Sequence, residues 1–480
     1  MRLSTKIAYN TIIQVASKLI ATALALVAVA IITRHLGQHG FGAYTTVLTF
    51  LSFFAIAADL GLTLVTVQVI SQPGENEEKA LANLFALRLV SAFLLLGLAP
   101  VAVLFFPYST TIKLGVLIGT LSFLCVALNQ VLVGLFQKKL RMDKVSIAEI
   151  TGRVVVVAGV AWMAWAQWGL LAAVWATVAG NVISCALHFL FARRFVRLRL
   201  EFDMAYWRKI IIRSWPLALT IIFNLIYLRT DTLLLSVINR PTDIGIINEV
   251  GLYGAAYKVI DVVVSISFIF AGIVLPIMTA RFAAADRAGF YRIIQKAFNV
   301  MAILAIPLFV GTQFVAQDIM TLIAGPEFAG SGPILQVLIG AAALIFLGNI
   351  FAHAVIAAEK QKKIIWLYLF TAITSFAAYF ILIPIYSYMA AAWITIYSEL
   401  MVAFGSLAYV WYYTGFLPNL SVPVKSLLAS GVMAAGILGL RQIGLGSLFL
   451  ELPLAVIIYF ASLYVLGGVT KQEFSDLLNK

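Results

Sequence analysis

Polar residues recur at helical spacing inside runs of this sequence that are otherwise apolar. Asn10, Gln14, Lys18 and Thr22 stand four apart and read as one helix face. Thr45, Thr49, Ser52, Asp59 and Thr63 follow at spacings of four, three, seven and four, with Tyr44 at the edge of the stripe. Thr220, Asn224, Tyr227 and Asp231 form a third stripe. Tyr253, Tyr257, Asp261 and Ser265, with Lys258 beside them, form a fourth. Hydroxyls alone can glue helices together. Lys18, Asp59, Asp231 and Asp261 are too costly in hydrocarbon for that role and point to a water-filled lumen, in which Asp59 is the expected resident partner of Lys18. The chemistry implied is the handling of a polar or ionic cargo.

The other charges inside apolar runs suggest quieter roles. Glu149 and Arg153, four apart, are expected to pair locally. Arg88 lies close enough to one end of its run to snorkel part of the way out. Arg229 is two residues from Asp231, about 200° around a helix, so the two cannot share a face. Glu399 is a candidate ion site or a structural group, and Glu451 is expected to reach water. His188 and His353 read as structural imidazoles, and His35 and His39 stand in a short loop with no metal partner in sight. No Gly-x-x-x-x-Gly-Lys-Ser/Thr or Gly-x-Ser-x-Gly motif occurs, so neither ATPase nor hydrolase chemistry is indicated. The nearest thing to an acidic cluster, Glu201-Phe202-Asp203, sits in a basic linker.

The elements that must hold these residues are membrane helices. The chain has 480 residues, 63% hydrophobic and 11% charged, with a mean hydropathy of +1.03. A soluble domain is roughly 25% charged, which excludes a soluble enzyme, a nucleic-acid binder and a secreted disulfide module. A spanning helix needs about 20 apolar residues. Fourteen such spans can be placed, at about 8–33, 41–70, 80–106, 112–136, 146–166, 169–192, 210–238, 250–280, 291–316, 331–357, 363–383, 387–413, 423–440 and 446–468. Cys125 and Cys185 both fall inside spans and suggest neither a disulfide framework nor a metal site. The stretch after Met1–Tyr9 is too long for a signal-peptide core, so the first span is expected to stay in the membrane.

Loop charges support this count. With the N-terminus inside, the cytoplasmic segments hold 24 Lys and Arg, the opposite loops hold 4, and 5 lie within spans. That alternation is what the positive-inside rule demands, and it accounts for the net charge of +13 without any nucleic acid. Both termini are thus expected in the cytoplasm. The densest loop, 193–213, is also the central linker.

The linker separates two similar halves. Phe41-Gly42-Ala43-Tyr44 finds an echo 212 residues later in Tyr253-Gly254-Ala255-Ala256-Tyr257. Ala172–Thr177 finds one 218 residues later in Ala390–Thr395. Duplication of a six-helix unit gives two lobes in parallel orientation, with a site between them. The expected organisation is an N-terminal lobe at 1–200, a C-terminal lobe at 201–415, and two further helices plus a tail at 416–480. The fold class is an all-α polytopic membrane protein of about fourteen helices, with two parallel-repeat lobes around a central cavity.

Several segments carry a family resemblance: Trp215-Pro216-Leu217-Ala218-Leu219, Tyr227–Thr232, Val250–Lys258, Leu275-Pro276, Gly40–Tyr44, Phe136-Gln137, Arg141-Met142 and Ala390–Glu399. Over about residues 1–415 the chain resembles the bacterial polysaccharide exporters, or oligosaccharide flippases. These form a branch of the multidrug/oligosaccharidyl-lipid/polysaccharide (MOP) superfamily. The final helix pair resembles fourteen-helix members such as lipid II flippases, in which that pair makes a groove for the lipid tail. Relatives often carry Arg near the end of span 2, where this chain has Gln68.

The resemblance implies a non-enzymatic flippase. It would work by alternating access in the cell membrane, with a polyprenyl-pyrophosphate-linked sugar as cargo and surface polysaccharide as the destination. On that footing Lys18 and Lys258, then Arg88 and Arg229, are the candidate pyrophosphate contacts. Tyr44, Tyr253 and Tyr257 are candidates to stack on sugars, with Asn10, Gln14 and Asn224 as polar lining. Asp59, Asp231, Asp261 and Glu399 are candidates for a coupling H+ or Na+, with no other cofactor expected. The expected partners are the lipid-linked glycan and membrane lipids, and the expected state is a monomer. A drug or organic-cation exporter of the same superfamily is the alternative; a glycan polymerase or ligase would need large external loops, which are missing.

The topology is directly testable. A single cysteine placed at position 200 (Leu200→Cys in a chain cleared of its native cysteines) should react with an impermeant maleimide only in opened cells. Labelling in intact cells would overturn the map.

Overall fold

The computed structural model describes residues 3–70, 76–196, 199–444 and 446–469. All regular structure among them is helical. Spans 1 and 2 form one bent helix, α1 (Leu3–Asp59). The bend is a single residue, Gly37, at φ 65° and ψ −172°, a conformation that favours glycine. Leu60 and Gly61, both at positive φ, then break the chain before α2 (Leu62–Ile70), which completes span 2.

Spans 3 to 6 are α3 (Glu77–Ala102), α4 (Thr110–Lys138), α5 (Met142–Trp165) and α6 (Leu170–Ala192). Spans 7 to 10 are α7 (Met204–Val237), α8 (Ile246–Ala283), α9 (Arg287–Ala324) and α10 (Ser331–Ala357). Spans 11 and 12 share α11 (Gln361–Thr414), bent at Ser387, and α12 (Ser421–Gln442) and α13 (Leu448–Val465) end the series. Among the described residues, eleven helices are long and apolar enough to cross a membrane. Two of these, α1 and α11, each make two spans, and α7 supplies the last of the fourteen.

Helix starts carry the expected caps. Asn76 accepts from the backbone of Glu78 and Lys79, Ser109 from Ile112, and Asp286 from Gly289. Asp203 caps α7 through the Tyr206 N–H and also pairs with Lys79 at 3.0 Å. The Tyr206 N–H first, and then Lys79, hold the Asp203 carboxyl below the usual carboxylate range. Asn83 of α3, fully buried, accepts from the Asp203 N–H and donates to Glu201. The central linker is thereby fastened to α3.

The contacts divide the chain into two units. The first holds residues 1–255 and 379–388, and the second holds 256–378 and 389–480. Apolar packing drives little association between helices in lipid, so close backbone approach matters more. In the first unit, a side chain on Gly152 would strike the Gly180 carbonyl, which lets α5 and α6 touch. Gly42 of α1 and Gly251 of α8 do the same. A Cβ on Gly42 would collide with the Ile247 carbonyl, and one on Gly251 with the Gln38 carbonyl. In the second unit, Phe290, Phe298, Met301, Phe346 and Ile350 form the centre of one apolar cluster. Met433, Tyr459 and Leu463 of α12 and α13 pack on α9 in another.

Gly251→Val should therefore cost at least about 1–3 kcal/mol, the usual range for overpacking, and lower the melting temperature in detergent. Gly97→Val, with nothing within 4 Å of the new methyls' root, should leave melting unchanged. Equal melting of the two variants would remove the close approach.

Candidate functional site

Arg88 and Asp59 form the most enclosed ion pair of the first unit's stripes. The Arg88 guanidinium stands 2.5 Å from Asp59 Oδ1, with the two side chains 4% and 12% exposed. Arg88 Nε also donates to the Ala127 carbonyl at 3.0 Å, and the Thr63 hydroxyl donates to Asp59 Oδ1. Ser91, one turn beyond Arg88, donates to the Ala58 carbonyl at 2.9 Å. The helix break at Leu60–Gly61 is what frees that carbonyl.

The sequence suggests Lys18 as the partner of Asp59, and the structure corrects this. Arg88 occupies the carboxylate, while Lys18 is exposed with no carboxylate in ion-pair reach among the described residues. The stripe on α1 is also less uniform than its spacing suggests. Asn10 accepts from the Met142 N–H at 2.8 Å, and Ser146 donates to Ser17 at 2.7 Å, so that face packs on α5. Steps of four drift about 40° per step around a helix, whereas a step of seven returns within about 20°. Asn10 and Ser17 thus share a buried face, and Gln14 and Lys18 turn away from it to an exposed one.

The acidic and aromatic candidates are mostly enclosed. Asp231 is fully buried; it accepts from the Tyr253 hydroxyl at 2.5 Å and from Thr232. Tyr44 bonds Thr177 at 2.9 Å. Tyr44, Tyr253 and Tyr257 are all buried, so a sugar reaches their rings only after their neighbours move. Arg229 is half-buried. The side chains of Thr220, Asn224, Tyr227 and Gln68 lie outside the described residues. In the second unit, Lys258 and Asp261 pair with each other at 3.5 Å, each about one-third exposed, and Glu399 is buried.

Two further readings change. Glu149 and Arg153 are both exposed, and no ion pair joins them. Glu451 is fully buried instead of reaching water, because Arg441 folds over it with two bonds of 2.8 and 3.0 Å. Arg441 also reaches Asp318. A second enclosed network of the first unit lies outside the candidates read from the sequence. Arg240 donates to Glu249 at 2.5 Å, to Ser387 at 2.9 Å and to the carbonyls of Leu235 and Ile238. Its signal was in the charge map. Arg240 and Arg441 are two of the four basic residues on the sparse side, and each is held by a carboxylate.

Fold and site together define a polytopic helical membrane protein whose buried charges are paired. A family model described as "Polysaccharide biosynthesis protein" matches residues 7–282, and the chain belongs to that family. Among solved structures, it resembles the lipid II flippase MurJ in an inward closed conformation. The TM-score is 0.74 at 13% identity, covering 96% of this chain and 99% of that one. It also resembles an inward-facing multidrug resistance MATE family transporter of the MOP superfamily, with TM-score 0.67, 14% identity, and 82% and 94% covered. A MOP superfamily transporter from Pyrococcus furiosus matches at TM-score 0.56 and 10% identity, with 86% and 95% covered. A comparison with curated proteins finds no match. The fold is that of MOP-superfamily flippases and transporters.

Breaking one side of the buried pair strands the other charge, at about 3–5 kcal/mol. Arg88→Ala or Asp59→Ala should therefore sharply reduce membrane levels and melting temperature. The double change Arg88→Met with Asp59→Leu should recover most of both. Failure of the double variant to recover would mean that the pair does more than satisfy itself.

Proposed function

We propose that the chain flips a polyprenyl-pyrophosphate-linked oligosaccharide across the cytoplasmic membrane by alternating access, supplying surface polysaccharide synthesis. The observation that carries this reading is the family match, whose residues 7–282 include all four polar stripes in full. Lys18 adds the chemistry. It is an exposed ammonium in an apolar helix, without a carboxylate partner among the described residues. Such a charge costs at least about 2.5–3.5 kcal/mol on insertion scales, which a pyrophosphate would offset. Asp231 and Glu399, both buried, are the groups best placed for a coupling proton or sodium ion, since Asp59 is committed to Arg88. Both termini face the cytoplasm in this reading.

The test is surface-glycan display in a deletion strain complemented at matched membrane levels. Lys18→Ala should abolish display, and Lys18→Arg, which keeps the charge, should retain part of it. Wild-type display by Lys18→Ala removes Lys18 from the site. Full display by the empty deletion strain, with loss of dye efflux instead, would replace the cargo with an organic cation.

A further inference from the structure

The seam between α4 and α6 runs in constant register. Gly115 lies against Val174, Ser122 accepts from the Asn181 amide at 2.6 Å, and the Phe136 ring meets Phe195 edge-on at 6.0 Å. Each of these pairs is 59 residues apart in sequence. The two helices therefore lie side by side, pointing the same way, for about five turns, with Phe195 just past the end of α6. Cys125 and Cys185, 60 residues apart, fall in that register one turn beyond Ser122 and Asn181. Both are buried, and the register sets each thiol within electrostatic reach of the other. They are the only cysteines in the chain. The sequence places them in separate spans and gives no reason to pair them; the packing does.

We propose that Cys125 and Cys185 are a modification site, where hydrogen peroxide oxidises the two thiols to a disulfide that staples α4 to α6. A small uncharged peroxide enters hydrocarbon, where thiols buried from water remain within its reach. One sulfur attacks the O–O bond, giving a sulfenic acid while the other oxygen leaves as water. The second sulfur then attacks the sulfenic sulfur; the S–O bond breaks, an S–S bond forms and a second water leaves. Both sulfurs are oxidised and both peroxide oxygens end as water. His188, one turn past Cys185, offers a transient proton acceptor on the same helix. Its Nδ1 bonds the Ser184 carbonyl, and its Nε2 is buried without a hydrogen-bond partner.

Thiol counting tests this in native membranes, independently of any cargo. Membranes are treated with hydrogen peroxide, denatured, and reacted with maleimide-polyethylene glycol, which adds one mass step per free thiol. Untreated protein should show two steps and oxidised protein none. Dithiothreitol should restore both, and the protein should remain a monomer on a non-reducing gel. In the Cys125→Ser variant oxidation should stop at the sulfenic acid, so that dimedone added with the peroxide makes the loss irreversible to dithiothreitol, whereas the wild type should still recover both steps; Cys185→Ala serves equally if the first fails to accumulate. Two steps surviving peroxide, a loss that dithiothreitol does not reverse, or a disulfide-linked dimer would each overturn the proposal.

Discussion

A polar group in hydrocarbon has no water to turn to, and most of this structure answers that one constraint. The pairing of Arg88 with Asp59 is its sharpest expression. Two charges that would each be ruinous alone are joined at 2.5 Å, with a carbonyl and a hydroxyl closing further bonds. The same rule explains Arg441 folding over Glu451, and Arg240 gathering Glu249, Ser387 and two helix-end carbonyls. It also sorts the candidates. A cation already bound to a carboxylate needs no ligand, whereas Lys18 stands exposed on an apolar helix.

The spans were legible because length and hydropathy suffice to find them. Even the two bends, at Gly37 and Ser387, fall where the sequence places turns between spans. The partners of polar side chains were not legible. Arg88 and Asp59 come from different helices, and Asn10 meets Met142 across 132 residues. Spacing within one helix says which residues share a face but not which helix that face meets. Over four residues it also misleads slightly, and the accumulated drift separates Lys18 from Asn10. Glu451 was misread for the same reason. Its depth in the span is visible in the sequence, but the arginine ten residues earlier that returns to cover it is not.

The short helix α2 gives span 2 an unusual mechanical character. At Leu60–Gly61 the hydrogen-bond ladder is already interrupted, and the Ala58 carbonyl released there is held by Ser91 of another helix. Pressed against the same point is α7, for a side chain on Gly61 would meet the Ser214 carbonyl and the Ala218 nitrogen. Bending an intact helix in lipid breaks a bond for which no water substitutes. Here that bond has been replaced in advance by one to a neighbour. The bend between the two segments of span 2 therefore leaves no backbone group stranded, because the bond an unbroken helix would make at this point is already made elsewhere.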